Sequence, residues 1–474
     1  MNNLNSMPLP PRAVSPSHWL QGPTYHVRRD PLQWIPRLFE DYGDIFRITS
    51  LLGQATVVGS PELARQVLVD RYPHFQQKSR AYMVLRILMG NGLVTSDGDF
   101  WHGQRKLVQP AFHRRRLEAL FAMMVERVTD SAGRLAAVAA AGASVDLAPL
   151  LSQLTLDIIS RAMFSSDVQG AAADVSRHIA RLNEYALRML RHPWLFLVPR
   201  RFPTPFTCGP YHSLKSLHQI VSEIIQARRR KPEAHDDLLN MLLTACAEDT
   251  GRGMTDEQLR DEVMTIFVAG HETTANAMAW LLYLVSQHPD VEEQLIAEID
   301  TQWAADGLTL DSQGGFRYAR QVIEESLRVY PTIWSMGRRC TKTEELGGYQ
   351  IPAGMNVVVP IFYFHWSERY WTEARKFDPS RFSPERRPAP ERLIYFPFGA
   401  GARSCVGNHF ALQELLIMTV IFFRHFQFRL KPGFVVEPDP LITLRPKHGM
   451  VLTLALRRAG PGSRATTSAA VGSK

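Results

Sequence analysis

The sequence is poor in cysteine and lacks long apolar runs, and each shortage excludes a class of protein. Only four cysteines occur in 474 residues, Cys208, Cys246, Cys340 and Cys405, and no two lie close together. That excludes a disulfide scaffold and a C-x-x-C zinc module, and predicts a reducing, intracellular setting. No run is apolar and long enough to cross a bilayer, and the opening "MNNLNSMPLPPRAVSPSHWL" has no signal-peptide core. The chain is therefore expected to be cytoplasmic, with no transmembrane segment. Repeats and dividing linkers are also missing. Lys and Arg outnumber Asp and Glu by 54 to 46, yet no nucleic-acid motif accompanies the excess. Solubility, or docking of an acidic protein, explains the basic surface better than nucleic acid does.

What is present is mostly helical pattern, with a smaller share of β-like runs. "DPLQWIPRLFEDYGD" has helical periodicity ending at a glycine, and "IFRITSLLGQATVVGS" reads as a hairpin. Ser60-Pro61 opens a further helix. The longest helix starts at a capping box, Thr255 to Gln258, and is expected to continue to Pro289 through the core. His271, Glu272, Thr273 and Thr274 interrupt its apolar middle. "QVIEESLRVYP" is another helix, "GGYQIPAG" and "NVVVPIFYF" read as short strands, and a last helix starts just after Cys405. The tail from about residue 459 is small and polar and is expected to be disordered.

"FPFGAGARSCVG" sets Cys405 on a platform of small residues at the opening of that last helix. A helix N-terminus supplies free N–H groups and favours a thiolate, and glycines let the backbone approach something large and flat. A reactive thiol, a metal ligand and an ordinary buried cysteine all remain open on these residues alone, although the last leaves Gly399, Gly401, Arg403 and Gly407 unexplained.

Phe398, Gly399, Gly401, Arg403, Cys405 and Gly407 together resemble the haem-binding signature of the cytochrome P450 family. Further motifs follow in the family's order. Ala269-Gly270-His271-Glu272-Thr273-Thr274 resembles the oxygen-activation segment, Glu325-Ser326-Leu327-Arg328 the E-x-x-R, and Arg381 the third member of that network. Trp101 and Arg105, at i and i+4, match W-x-x-x-R. The resemblance implies a mainly α fold with a smaller β-rich region, haem lying between the long central helix and the helix after the cysteine loop. It implies one haem domain over residues 30–457, between an N-terminal extension (1–29) and the tail (458–474). His365-Trp366-Ser367-Glu368 departs from the family's usual His-Arg-Asp-Pro, which bears on local packing.

By this resemblance Cys405 is the axial thiolate of haem b. Trp101, Arg105, Arg403 and Arg338 (its neighbour Arg339 facing away) hold the propionates, with Ala269, Gly270, Phe398, Gly399 and Gly407 also against the cofactor. Glu272 and Thr273 relay protons to bound O2, while His271 is structural. Substrate contacts fall in 82–94, 187–206, 266–269, 332–336 and 441–444, with Leu85, Ile87, Leu88, Phe267, Ile333 and Trp334 as pocket residues. Their apolar character implies a hydrophobic small molecule (fatty acid, terpenoid, steroid or polyketide) that is hydroxylated or epoxidised. Two electrons are expected from a ferredoxin or flavodoxin with its NAD(P)H reductase, docking near Lys106 and residues 114–116 of a monomer. A peroxide-using or isomerising haem-thiolate enzyme, and a non-catalytic haem sensor, are the alternatives.

Overall fold

The helix Asp256–Ser286 is the element on which the rest is assembled. The computed structural model describes residues 6–13, 24–50, 53–78, 82–164, 205–230, 237–245, 251 and 253–457, with scattered positions from 174 to 185. At 31 residues the central helix is ~46 Å long. Its expected capping box is present: Gln258 N donates to Thr255 Oγ1 at 3.2 Å and Thr255 N to Gln258 Oε1 at 2.8 Å. Leu147–Phe164, Pro289–Asp306, Arg317–Val329 and Asn408–His425 all pack against it, so it is buried nearly all round.

The polar middle does not unwind this helix. Thr273 Oγ1 donates to Ala269 O at 2.7 Å and Thr274 Oγ1 to Gly270 O at 3.3 Å. These bonds hide the hydroxyls and leave the helical ladder intact. A Cβ on Gly270 would stand 3.2 Å from Ile159 Cγ1 of Leu147–Phe164. The missing side chain of that glycine lets the two helices approach closely.

Among the described residues twelve short strands complete the fold. They are β1 (Ile45–Ser50), β2 (Gly53–Val58), β3 (Gln77–Lys78), β4 (Ser144–Asp146), β5 (Met336–Arg339) and β6 (Glu344–Leu346), then β7 (Tyr349–Ile351), β8 (Asn356–Val359), β9 (Phe426–Leu430), β10 (Pro438–Pro440), β11 (Leu444–Pro446) and β12 (Val451–Leu456). The largest sheet has order β1-β2-β8-β5-β3, with β1 and β2 forming the expected hairpin, Ile45 opposite Val58. β8 stops at Pro360, and "IFYFHW" (Ile361–Trp366) is a helical turn instead of more strand. Proline cannot donate to the ladder, and a short run buried on all sides looks the same in sequence as helix or strand. Residues assigned to an N-terminal extension share the core: Ala13 is fully buried, and Ala13 N donates to Arg47 O while Arg47 N donates to Pro11 O, both at 2.9 Å.

The segment after the helix Tyr82–Met89 is held to the central helix by two consecutive acids. Asn91 N donates to Asp261 Oδ2 at 2.8 Å and Leu93 N to Glu262 Oε2 at 3.0 Å. Across the molecule, Arg328 and Glu325 form a bidentate pair at 2.7 Å, both fully buried. Arg328 also donates to His365 O, Ala374 O and Lys376 O, and Arg381 Nε lies 3.4 Å from Glu325 Oε1. The departure from the usual motif is packing: Arg375 lies 3.9 Å over the Trp366 ring, and Ala374 N donates to Glu368 Oε1.

Replacing Glu325 by Ala strands two buried guanidiniums, so denaturant unfolding should show a loss of ~3–5 kcal/mol. Glu262 gives a pH signature. Burial, with Asp261 beside it, pushes its carboxyl up to about 8, against the bond from Leu93 N. The folded state keeps a proton that the unfolded chain releases above its ordinary 4.5, so stability falls as pH rises through that window. Between pH 6 and 8 the fall from this group is about 2 kcal/mol, and Glu262→Gln should remove it from urea unfolding curves compared at those two pH values.

Candidate active site

Cys405 stands between a tight turn (Gly401–Arg403) and the helix Asn408–His425. Its own N–H donates to Phe398 O at 2.8 Å, and Ser404 N donates to Gly401 O at 3.0 Å, which folds the loop back on itself. Gly401 has φ +69, and a Cβ there would meet Leu68 O at 2.0 Å, so no other residue fits. A Cβ on Gly399 would press on Met336 Sδ at 3.3 Å, and Phe398 packs half-buried on the main core. Gly407 caps the helix and directs its N–H at the Cys405 sulfur.

The thiol is exposed at its surface, yet burial is the largest influence on it and pushes it upward; the Gly407 N–H and the Arg105 charge pull it back down. A sulfur that is both reachable and deep faces an interior space and not the outer surface.

Cations converge beside it. Arg105 Nη1 donates to Ser404 O at 2.9 Å. Arg403 lies with its guanidinium 4.0 Å from the centre of the Trp101 ring and donates to Ser96 O, Gln76 O and Asp97 Oδ1. On β5 the alternation buries Arg338 and leaves Arg339 half-exposed, bonded to Gly354 O at 3.1 Å. Burial lowers Arg403, partly offset by Tyr72 and Asp97, and the nearby Arg338 charge adds a smaller push downward. Both Arg338 Nε and Arg403 Nε are buried without a hydrogen-bond partner. Asp97 pairs with Arg403 at 3.2 Å, and the two unpartnered Nε groups leave donors free for an anionic ligand.

On the central helix Ala269, Gly270, Glu272 and Thr273 are half-buried within an otherwise buried stretch. His271 is buried, its Nδ1 paired with Phe267 O at 3.0 Å, and burial lowers it; it stays neutral. Of the expected pocket residues, Leu85, Ile87 and Leu88 lie on Tyr82–Met89, which packs on the central helix. Ile333 and the half-buried Trp334 lie across the site, where Trp334 Nε1 donates to Leu441 O at 3.0 Å. Phe267 and Leu88 are both buried in the core, Phe267 against Phe164 with ring centres 5.3 Å apart, because at this point of the helix it faces Leu147–Phe164. Residues 187–204 and the tail from 458 lie outside the described residues.

Sequence reasoning put 441–444 among the substrate contacts but missed the bond from the β10–β11 hairpin to Glu272. Thr443 Oγ1 donates to Glu272 Oε1 at 2.8 Å and accepts from Asn276 Nδ2 at 3.2 Å. No motif marks Thr443, which reaches Glu272 across 171 positions. Ser96 and Asp97 were also missed, though a helix start at Asp97-Gly98 is a local signal.

A sequence model of the family described as Cytochrome P450 matches residues 11–453. The chain belongs to the cytochrome P450 family. It is 33% identical over 415 residues to cyclooctat-9-en-7-ol 5-monooxygenase of Streptomyces melanosporofaciens, covering 87% of this chain and 88% of that one. To pentalenene oxygenase of Streptomyces avermitilis it is 31% identical over 442 residues, covering 93% and 96%. The crystal structure of the cytochrome P450DA haem domain superposes with a TM-score of 0.82 at 26% identity, covering 96% of this chain and 97% of that one.

This P450 is accordingly an oxidoreductase of the monooxygenase type, and its cofactor is haem held by a cysteine thiolate, with O2 as cosubstrate. The residues present fit that group: an inward-facing sulfur with one N–H and one cation on it, and buried guanidinium nitrogens suited to two propionates. Among the described residues no helix is long and apolar enough to cross a membrane. If Arg338 meets a propionate, Arg338→Ala removes a charge-assisted hydrogen bond worth ~1.5–3 kcal/mol, roughly 10- to 100-fold in haem affinity. Haem transfer to apomyoglobin should be faster from Arg338→Ala and unchanged from Arg339→Ala.

Proposed function

We propose that this P450 inserts one oxygen atom of O2 into a hydrophobic small molecule, with a terpenoid skeleton favoured among the possible classes. The observation that carries the site assignment is the inward-facing Cys405 sulfur beside the unpartnered nitrogens of Arg338 and Arg403. Terpenoids are favoured because two relatives are named for oxygenating cyclooctat-9-en-7-ol and pentalenene. The apolar pocket residues Leu85, Ile87 and Ile333 suit such a substrate but do not select it from fatty acids, steroids or polyketides.

When bound, haem supplies the redox chemistry that activates O2. The chain's residues do the rest. Cys405 would hold the iron through its sulfur, and the Gly407 N–H with the Arg105 charge would keep that sulfur ionised. Arg338, Arg403, Arg105 and Trp101 would take the propionates and set the cofactor's orientation. Glu272 and Thr273, adjacent on the central helix, would deliver protons: the carboxyl collects a proton and the hydroxyl passes it on. Thr273's hydroxyl, now on Ala269 O at 2.7 Å, needs only a torsion about one bond to do so. The electrons would come from a separate ferredoxin or flavodoxin with its NAD(P)H reductase, meeting a monomer in the cytoplasm.

Reconstitution with reductase, ferredoxin, NADPH and O2 should give oxygenated product from a terpene that shifts the ferric spin state, and Thr273→Ala should lower product per NADPH at least about tenfold, releasing peroxide instead. Product from peroxide alone, with none from reductase and O2, would instead mark a peroxide-using enzyme.

A further inference from the structure

We infer that Thr443, on the hairpin outside the central helix, is a positioning residue that aims the Glu272 carboxyl. Three residues of the central helix spaced four apart, Glu272, Asn276 and Trp280, form one stripe, and all three are hydrogen-bonded to two consecutive hairpin residues. Thr443 Oγ1 lies 2.8 Å from Glu272 Oε1 and 3.2 Å from Asn276 Nδ2, and Trp280 Nε1 donates to Leu444 O at 2.9 Å. The hydroxyl has a fixed sense. An amide nitrogen only donates, so Thr443 accepts from Asn276 and its single proton is left for the carboxylate. Thr443 is 3% exposed and Asn276 9%, so water does not compete freely for either group.

The hairpin itself is held firmly. Leu444 N donates to Thr332 O at 2.8 Å, and Trp334 Nε1 donates to Leu441 O at 3.0 Å. A glutamate has three rotatable side-chain bonds, and a tether to a fixed hydroxyl limits the orientations it samples. Glu272 is thus aimed by a strand-bearing segment and not by its own helix. Because residues 441–444 and 332–334 are expected to touch substrate, the inference rests on the reading of Glu272 as proton donor. It ties the aim of that acid to the wall of the substrate site, so a ligand that shifts the hairpin also shifts the donor.

The test uses the holoenzyme with the terpene giving the largest spin-state shift in a panel that includes pentalenene. Thr443→Val keeps the branched shape and removes the donor; Thr443→Ser keeps the donor. Thr443→Val should lower product per NADPH about tenfold, at the low end of the range for losing an acid outright. The missing electrons should appear as hydrogen peroxide, with a larger solvent isotope effect on product formation. Thr443→Ser should restore coupling. In a Glu272→Gln background Thr443→Val should add nothing, since both act through one group. A crystal structure of Thr443→Val should show the Glu272 carboxylate turned from its place beside residue 443. A fully coupled Thr443→Val, effects that multiply with Glu272→Gln, failure of serine to rescue, or an unmoved Glu272 would each overturn the inference. If Glu272→Gln is itself fully coupled, the proton-donor reading falls and this inference with it. If Glu272→Gln uncouples and Thr443→Val does not, only the inference falls.

Discussion

Burying a sulfur that must be ionised sets the problem the fold solves around Cys405. Removal from water favours the neutral thiol, and against that the chain supplies one backbone N–H, from Gly407, and one positive charge, Arg105. Neither works unless the loop is rigid. Cys405 N is held by Phe398 O, Gly401 slides beneath Leu68 O where a side chain would collide, and Arg105 is fastened to Ser404 O. The helix Asn408–His425 then starts immediately beyond, so that the positive end of its dipole lies toward the sulfur.

The same region gathers Arg105, Arg338 and Arg403, and it is held in shape from the far side by an ion-pair network. Arg328 Nη1 donates to His365 O at 2.6 Å, and Phe396 N donates to His365 Nε2 at 3.2 Å. His365 thus joins the Glu325–Arg328 pair to the start of the cysteine loop. Burial, with the Arg328 charge, lowers this imidazole to about 3, so Nε2 remains an acceptor for Phe396 N at any ordinary pH. A protonated ring would lose that bond and place two cations side by side. The network contributes loop geometry, while the chemistry stays with Cys405, Glu272 and Thr273.

Local features of the sequence were readable because local physics sets them. The capping box at Thr255 and Gln258, the β1–β2 hairpin and the alternation that buries only one of Arg338 and Arg339 each depend on a few neighbouring residues, while the choice of Arg338 came from the family resemblance. Direction around a buried helix was not readable. The central helix is buried nearly all round, so nothing in its pattern says that Phe267 faces Leu147–Phe164. "IFYFHW" folds as a helix because Pro360 ends the strand, in a run whose burial hides any period. Thr443 lay beyond reach for another reason: its partner is 171 residues away, and long-range pairs leave no spacing to detect.

The claim on which the rest turns is that the Cys405 sulfur binds the haem iron as a thiolate. The optical spectrum of the dithionite-reduced, carbon monoxide-bound protein tests it most directly. The account predicts the long-wavelength Soret band of thiolate ligation in the wild type, and its replacement by the short-wavelength band of an imidazole ligand in a haem-loaded Cys405→His variant. A wild type that shows only the short-wavelength band, or a Cys405→His variant that keeps the long-wavelength one, contradicts it.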